Sequence, residues 1–214
     1  MDGRFEDLRS ARNPKARIKI MKGHFATSNS HLNTYIDMST IKTRHNNARE
    51  TAKELAGEYL ANTFVNTIVC LDETEVIGTF LAEQLADSSQ LSLSAGNNIS
   101  VVTPEYTPFG QIMFRDNKQR MVKNQQVLIL AASVTTGKTI NRAIESILYY
   151  GGTICGICAI FSAVTKIAGM DIKTIFTSKD VPDYRAYEAG NCPMCQEGGR
   201  VEALVNSFGY SKLE

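Results

Sequence analysis

The chain has 214 residues and a mass of 23.6 kDa, enough for one α/β domain with a small appended subdomain but not for two large domains. Apolar residues make up 43% and charged residues 21%, which is typical of a globular protein and excludes a disordered or fibrous one. The formal net charge of +1 argues against nucleic-acid binding by bulk charge. The longest apolar run, residues 156 to 164, is too short to span a bilayer, and the N-terminus lacks the apolar core of a signal peptide. We therefore expect a soluble, cytoplasmic protein with neither nucleic acid nor membrane as partner.

The first 22 residues are rich in charge and poor in apolar side chains. They hold seven basic residues against three acidic ones. This composition predicts a basic N-terminal arm, solvated or packed across a partner subunit as a short helix, followed by a single domain over residues 23–214.

Helical and strand-like periods alternate along the rest of the chain. Apolar spacing predicts a first helix from Asn46 to Leu60, with Asn46 or Asn47 as its cap. The polar stretch from Thr103 to Gln126 is too long for an ordinary turn, so it is a candidate active-site loop or hairpin. The pattern predicts a mostly parallel sheet flanked by helices, that is, an α/β fold. Strands are predicted over 66–71, 99–102, 127–130, 153–161 and 173–176, and further helices over 76–85 and from 140 to the glycines at 151 and 152.

The five cysteines form two C-x-x-C pairs and leave one over. Cys155 and Cys158 lie in a predicted buried strand, where positions three apart point to opposite faces of a regular sheet. Cys192 and Cys195 lie in a turn-rich segment and would supply half a metal site, but no further ligands are near them in the sequence. We therefore expect reduced structural thiols and no zinc.

A small-residue segment joins the strand at 127–130 to the following helix. A glycine and hydroxyl residues at such a turn leave backbone N–H groups free to surround an anion, and the helix dipole favours negative charge there. The segment predicts a phosphate site, although a plain strand-to-helix turn with a Ser/Thr cap has a similar composition. The predicted phosphate-binding residues are Ser133, Thr135, Thr136, Gly137, Lys138 and Thr139.

A nucleotide hydrolase with a Walker A loop is an alternative interpretation of Gly137-Lys138-Thr139. That motif needs a glycine five places before Gly137, and this chain has Ala132 there. The alternative is therefore the weaker one.

The same loop resembles the phosphoribosyl-diphosphate loop of the type I phosphoribosyltransferases. Residues 23–25 and 33–37 resemble the opening motif of orotate phosphoribosyltransferases, and residues 192–198 resemble a C-terminal segment of some of them. The resemblance covers about residues 20 to 213 and implies the family's α/β core with a small hood formed by N- and C-terminal segments. It also implies a homodimer, a Mg²⁺ ion with the substrate, and phosphoribosyl diphosphate or a nucleotide as ligand. By position, the resemblance assigns pyrophosphate binding to Asp72, Glu73 and Thr74.

This chain departs from the family pattern at the residues that carry charge. Ala131 and Ala132 stand where the family has two consecutive acidic residues that hold the ribose hydroxyls. In the stretch 103–110, which corresponds to the family's mobile catalytic loop, only Gly110 matches. Basic residues farther along the same stretch are candidate replacements: Arg115, Lys118, Arg120 and Lys123.

Two functions follow from these matches and departures. The first is a phosphoribosyltransferase of impaired or altered activity that binds phosphoribosyl diphosphate or a nucleotide 5-phosphate and transfers the sugar to a nitrogenous base. The second is a non-catalytic homologue that binds the same ligands as a sensor or partner-binding module. Loss of one preorganised charge partner typically slows a reaction about a hundredfold to a thousandfold, and several are absent here.

Overall fold

A computed structural model describes residues 2–87, 89 and 91–213 of the chain. The strands are β1 (Glu6–Arg9), β2 (Arg17–Ala26), β3 (His31–Asp37), β4 (Thr67–Cys70), β5 (Ser100–Val102), β6 (Glu105–Tyr106), β7 (Ile112–Met113), β8 (Gln126–Val134), β9 (Thr153–Ser162), β10 (Lys166–Ile167), β11 (Met170–Thr177), β12 (Ala186–Tyr187), β13 (Ala203–Asn206) and β14 (Gly209–Lys212). The helices are α1 (Ser39–Thr43), α2 (His45–Ala56), α3 (Glu75–Ala86), α4 (Asp116–Gln119), α5 (Lys138–Tyr149) and α6 (Pro193–Gln196), with short 3₁₀ turns at Asp2–Arg4 and Ala189–Asn191.

The central sheet has the strand order β10-β11-β9-β8-β4-β5. All neighbours pair in parallel except the short edge strand β10, which is antiparallel to β11. The middle strand β8 is buried at residues 127–132 on both faces, as expected for a parallel sheet covered by helices. The predicted α/β fold with a mostly parallel sheet is thus confirmed.

Helices cover the two faces of this sheet and create two apolar layers. One layer packs α2 and α3 against the sheet, with Leu55, Ile77 and Leu81 fully buried. The opposite layer packs α5 against it through Ile140 and Ile147. The helices that follow β4 and β8 therefore lie on opposite faces.

A second sheet forms the predicted hood from N- and C-terminal segments. Its order is β12-β3-β2-β13-β14, with β1 paired to β2. The C-terminal strand β13 runs parallel to β2, with Ala203 opposite Phe25 and Leu204 opposite Ala26. This pairing brings the two C-terminal strands onto the N-terminal hairpin, from which they are distant in the sequence.

The N-terminal arm is not a separate segment, which corrects the predicted boundary. The division between residues 22 and 23 falls inside β2, where Ile18, Ile20 and Met21 are buried in the core. The apolar positions alternate with charged ones, a strand period that the high charge of the segment conceals. Side chains of the preceding turn bond to α2 and its C-terminal extension within the same chain, with Ser10 Oγ 2.7 Å from a Glu54 carboxylate oxygen and Arg12 2.6 Å from Glu58.

Three local predictions differ from the structure. The residue before α2 is Arg44, and no side chain caps the helix; Asn47 instead donates to the carbonyl of Lys15. Strand β8 continues through Val134, and α5 begins at Lys138, so the connecting loop is shorter than predicted. Because Ile154 pairs with Val127 and Gly156 with Leu128, Cys155 is an extra residue in β9.

This irregularity changes the placement of the first cysteine pair. Cys155 and Cys158 both pack against the layer of α2 and α3, whereas a regular strand would direct them to opposite faces. Within the described residues, no helix is both long and apolar enough to cross a membrane.

Candidate functional site

The candidate site lies where the chain changes direction within the central sheet. From β4 the chain proceeds to the edge strand β5, returns to β8 on the other side of β4, and then continues to β9 and β11. The loops leaving β4 and β8 therefore diverge to opposite faces and leave a crevice at the carboxyl ends of these strands. In open α/β sheets such a crevice is the usual place for a ligand.

The predicted phosphate loop lines a cavity of about 140 Å³ in this crevice. All six predicted residues take part: Ser133, Thr135, Thr136, Gly137, Lys138 and Thr139. Gly137 precedes α5 with φ +81°, and no side chain caps the first turn of that helix. The first N–H groups of a helix have no partner within it, so this cavity has the donors that an anion needs.

Residues of the hood close the other side of the cavity. Thr27, Asn29 and Ser30 from the turn between β2 and β3 line it. The Thr27 hydroxyl bonds the backbone of Ser30 from both sides, accepting from its N–H at 2.9 Å and donating to its carbonyl at 2.9 Å. The phosphate loop of the core thus faces a compact turn of the hood.

Asp72, in the turn after β4, lines the same cavity. Asp72 and Glu73 have φ angles of 56° and 61°, a left-handed conformation that is uncommon for residues other than glycine. Burial raises the pKa of Asp72, while the Lys42 charge and the N–H of Ala132, which donates to the Asp72 carboxylate, lower it in part. Two consecutive left-handed residues store strain of the kind found at functional turns.

Of the three residues assigned to pyrophosphate, only Asp72 lines the cavities. Glu73 is exposed and pairs with Lys42 at 3.2 Å. Thr74 is fully buried, and its hydroxyl donates to the carbonyls of Leu71 at 2.8 Å and Leu130 at 3.2 Å. Thr74 therefore fastens the turn to β8, and the predicted ligand contacts of Glu73 and Thr74 stay predictions.

Lys42 is a buried cation that the sequence analysis did not identify. Its side chain is 5% exposed, and Nζ lies 3.1 Å from the Asp72 carbonyl, 3.2 Å from a Glu73 carboxylate oxygen and 2.6 Å from the Ser207 carbonyl. It joins α1, the turn after β4 and the turn between β13 and β14. A lysine on a five-residue helix is usually exposed. Neither the residue type nor the apolar spacing around Lys42 therefore indicated that its side chain is buried.

The cavity of about 140 Å³ that the predicted phosphate loop lines is called the phosphate cavity below. A larger cavity of about 280 Å³ adjoins it between the core and the hood. The two cavities share four lining residues: Thr27, Asp72, Ser133 and Thr135. The aromatic side chains of Tyr35, Phe161 and Tyr184 line the larger one together with Thr34 and Lys42. It combines apolar surface with a few polar groups, as sites for small organic ligands do.

Burial raises the pKa of Tyr184, and a hydrogen bond from Thr135 lowers it in part. The Tyr184 ring packs edge-on against Phe161 with a centroid separation of 5.0 Å. Thr135 of the phosphate loop is thus tied to the aromatic wall of the larger cavity.

The stretch 103–126 forms a short hairpin of β6 and β7, followed by α4. Thr103 donates to Glu75 at 2.9 Å, and Arg142 of α5 donates to the Gly110 carbonyl at 3.2 Å, so the hairpin spans α3 and α5. Burial, with the charges of Asp72 and Glu75, raises the pKa of Tyr106 in this hairpin.

The four basic candidates of this stretch are absent from the lining of both cavities. Arg115 makes two bonds of 2.6 Å to Glu105, and Lys118 donates to the Thr103 carbonyl at 2.9 Å. Arg120 and Lys123 are exposed, and Lys123 lies beside Gly151, at the end of the sheet away from the site. In this conformation none of them contacts the site, and their catalytic role stays a prediction.

The two alanines at the acidic positions have different surroundings. Ala132 lines the larger cavity. Ala131 is 1% exposed and packs in the layer that faces α5. A carboxylate at position 132 would face the larger cavity, whereas one at position 131 would be buried beneath α5.

The cysteines of β4 and β9 are buried or half-buried free thiols. Burial raises the pKa of both Cys70 and Cys155 to about 12, and burial also raises that of Cys158. A raised pKa favours the protonated thiol over the reactive thiolate at neutral pH.

No protein-family model matches the chain. Orotate phosphoribosyltransferase of Caldanaerobacter subterraneus subsp. tengcongensis is 24% identical over 189 residues, which cover 84% of this chain and 86% of that protein. This sequence match confirms the predicted resemblance.

Solved structures with a similar fold include UMP synthase of Leishmania donovani, with a TM-score of 0.56 and 18% identity. That match covers 76% of this chain but only 34% of the other, so the chain spans about a third of the synthase. Orotate phosphoribosyltransferase of Aeropyrum pernix has a TM-score of 0.50 at 16% identity and covers 76% of this chain and 89% of that one. Adenine phosphoribosyltransferase of Thermoanaerobacter pseudethanolicus has a TM-score of 0.50 at 13% identity, with coverages of 82% and 96%.

Proposed function

Since the chain has the type I phosphoribosyltransferase fold and resembles orotate phosphoribosyltransferase in sequence, we propose that it binds phosphoribosyl diphosphate and transfers the phosphoribosyl group to a nitrogenous base. The observation that carries this proposal is the juxtaposition of the loop 133–139 with Asp72 at the carboxyl ends of β8 and β4. The loop supplies uncapped backbone donors for the 5-phosphate, and the turn after β4 supplies a carboxylate to the same cavity.

The two adjoining cavities suit the two substrates of this transfer. The 5-phosphate would lie on the N-terminus of α5, where the helix dipole and free N–H groups stabilise an anion. The ribose would extend past Asp72 and Ser133, which line both cavities. The planar base would occupy the larger cavity beside the aromatic side chains of Phe161 and Tyr184.

Magnesium is the metal that the resemblance implies. Mg²⁺ keeps several waters and binds through one or two carboxylates together with substrate phosphates. Asp72 fits this requirement, because its carboxylate lines both cavities, and it would hold the ion through a bound water. The ion would neutralise charge on the leaving pyrophosphate, and Lys42 would add a fixed positive charge to the same wall.

Titration calorimetry with phosphoribosyl diphosphate, with and without Mg²⁺, tests the binding. The double variant Thr135→Val plus Thr136→Val removes two hydroxyls from the loop and is expected to weaken binding at least about tenfold, or about 1.4 kcal/mol. Thr79→Val on the exposed face of α3 is the matched control, since its hydroxyl contacts only the Glu75 carbonyl. Equal affinity in the double variant and the control would contradict the proposed phosphate site.

Pyrophosphate release with a panel of bases, including orotate and adenine, tests the transfer. A product formed with one base identifies the acceptor. Tight binding of phosphoribosyl diphosphate without product from any base would overturn the transferase proposal and favour a non-catalytic sensor. Sedimentation of the same sample determines whether the protein is the homodimer that the resemblance implies.

A further inference from the structure

Four potential metal ligands from three distant segments converge in the hood. His24 lies on β2, His31 begins β3, Cys192 precedes the short helix α6, and Cys195 lies within that helix. One ligand atom from each residue lies within 4.8 Å of all the others. Among the described residues, this is the one group of three or more histidines, cysteines and acidic residues that meets such a distance requirement.

The distances match those around a tetrahedral zinc ion. With bonds of about 2.3 Å to sulfur and about 2.05 Å to nitrogen, tetrahedral zinc places two nitrogens about 3.3 Å apart and a nitrogen and a sulfur about 3.6 Å apart. His24 Nε2 lies 3.0 Å from His31 Nδ1 and 3.6 Å from the sulfur of each cysteine. The sulfur of Cys195 lies 3.3 Å from His31 Nδ1.

The surroundings orient the ligands for this role. The other ring nitrogen of His24, Nδ1, lies 3.2 Å from the Gly199 carbonyl. A carbonyl accepts a proton but cannot donate one, so Nδ1 carries the hydrogen and the lone pair of Nε2 is free for a metal. Histidine ligands of zinc commonly have such a carbonyl partner.

The C-terminal ligands lie on a turn that its own backbone closes. The N–H of Gln196 donates to the Cys192 carbonyl at 3.1 Å, and the N–H of Gly199 donates to the Met194 carbonyl at 2.8 Å. Cys192 is fully buried and His24 is 6% exposed, whereas Cys195 is exposed and leaves a path for an ion to enter. Two thiolates would balance the charge of a divalent ion, so that a buried site is electrically neutral.

We infer that His24, His31, Cys192 and Cys195 bind a structural zinc ion. The set fills all four tetrahedral positions and leaves none for a substrate, which distinguishes a structural site from a catalytic one. Soft sulfur with imidazole nitrogen in tetrahedral geometry selects zinc over magnesium or calcium.

The ion joins the C-terminal segment to the hairpin that covers the candidate site. Thr27 and Ser30, in the turn between the two histidines, line the phosphate cavity. Zinc binding therefore ties the hairpin that carries this turn to the C-terminal segment of the hood. The expectation that no zinc binds depended on a search for ligands close to Cys192 and Cys195 in sequence, whereas the fold supplies two histidines more than 160 residues earlier.

Elemental analysis of the purified full-length protein tests the inference directly. We expect about one zinc per chain, removed by a strong chelator and restored by titration with Zn²⁺. Replacement by Co²⁺ should produce the intense visible absorption of a tetrahedral thiolate site. Loss of zinc should lower the melting temperature of the wild-type protein, and re-addition should restore it.

Matched variants locate the ion. His31→Ala and Cys195→Ser are each expected to lower zinc affinity more than about tenfold. His45→Ala and Cys155→Ser remove the same groups outside the cluster and should retain full zinc content. Wild-type protein that takes up neither Zn²⁺ nor Co²⁺ in the reduced state, holds iron in place of zinc, or contains a disulfide between Cys192 and Cys195 would overturn the inference.

Discussion

Replacing Gly137 with alanine is expected to weaken the binding of ribose 5-phosphate at least about tenfold. Gly137 has φ +81°, and a β-carbon there would lie 2.6 Å from Cδ1 of Ile167. The left-handed conformation costs an L-residue about 1–2 kcal/mol, and the contact with Ile167 adds to this. In the variant we therefore expect the loop to relax and the N–H groups at the start of α5 to rotate away from the cavity.

The magnitude follows from the population of the competent loop. If strain of about 1.4 kcal/mol disfavours the cradle relative to a relaxed loop, about a tenth of the molecules hold it, and the apparent Kd rises about tenfold. Calorimetric titration measures this change, and urea unfolding of the same samples measures stability. The binding loss should approach the strain but not exceed it, because the ligand at most has to restore the cradle at that cost.

Two further variants separate the causes. Gly96→Ala is the matched control, since Gly96 has φ +71° with nothing within 4 Å of the added carbon and lies outside the site. It should lose similar stability and keep full affinity. Ile167→Val removes the Cδ1 atom. The double variant Gly137→Ala plus Ile167→Val should therefore recover the part of the affinity lost to the contact with Ile167, but not the part lost to backbone strain. Unchanged affinity in Gly137→Ala, together with the stability loss of Gly96→Ala, would refute the cradle argument.

The remaining predictions concern the carboxylate and alanine positions of the site. Because the native pKa of Asp72 is raised above its unfolded value of 3.8, ionised Asp72 costs stability above that pKa and costs nothing where both states are protonated. Asp72→Asn, which tolerates positive φ, should thus raise the melting temperature at pH 7 but not near pH 3, and an increase of equal size at both would contradict this. Ala132→Asp places a carboxylate in the larger cavity and should tighten Mg²⁺-dependent binding of phosphoribosyl diphosphate in calorimetry. Ala131→Asp buries an unpaired charge beneath α5 and should lower the free energy of unfolding in urea by more than about 3 kcal/mol. Wild-type stability of this variant would contradict the placement of Ala131 in the buried layer and of Ala132 at the cavity.

Local sequence determined the strands and helices of the core and the glycine turn before α5. The apolar runs of β4, β8 and β9 and the helical spacing of α3 and α5 depend on residues close in the chain, so a period of two or of 3.6 is visible without the fold. The same holds for Gly137, since a glycine between a strand and a helix marks the left-handed position that the structure shows. The resemblance added the hood, which composition alone did not indicate.

Only the tertiary structure decided the partners of the hood and the walls of the cavity. Charge obscured the alternation in β2, and the extra residue Cys155 in β9 reversed the expected facing of the first cysteine pair. Lys42 became a buried cation because acceptors from two distant turns surround it. His24 and Cys192 are 168 residues apart, and the parallel pairing of β13 with β2 brings their segments together. Such contacts depend on how whole elements pack, and the spacing of residues within one segment contains no information about them.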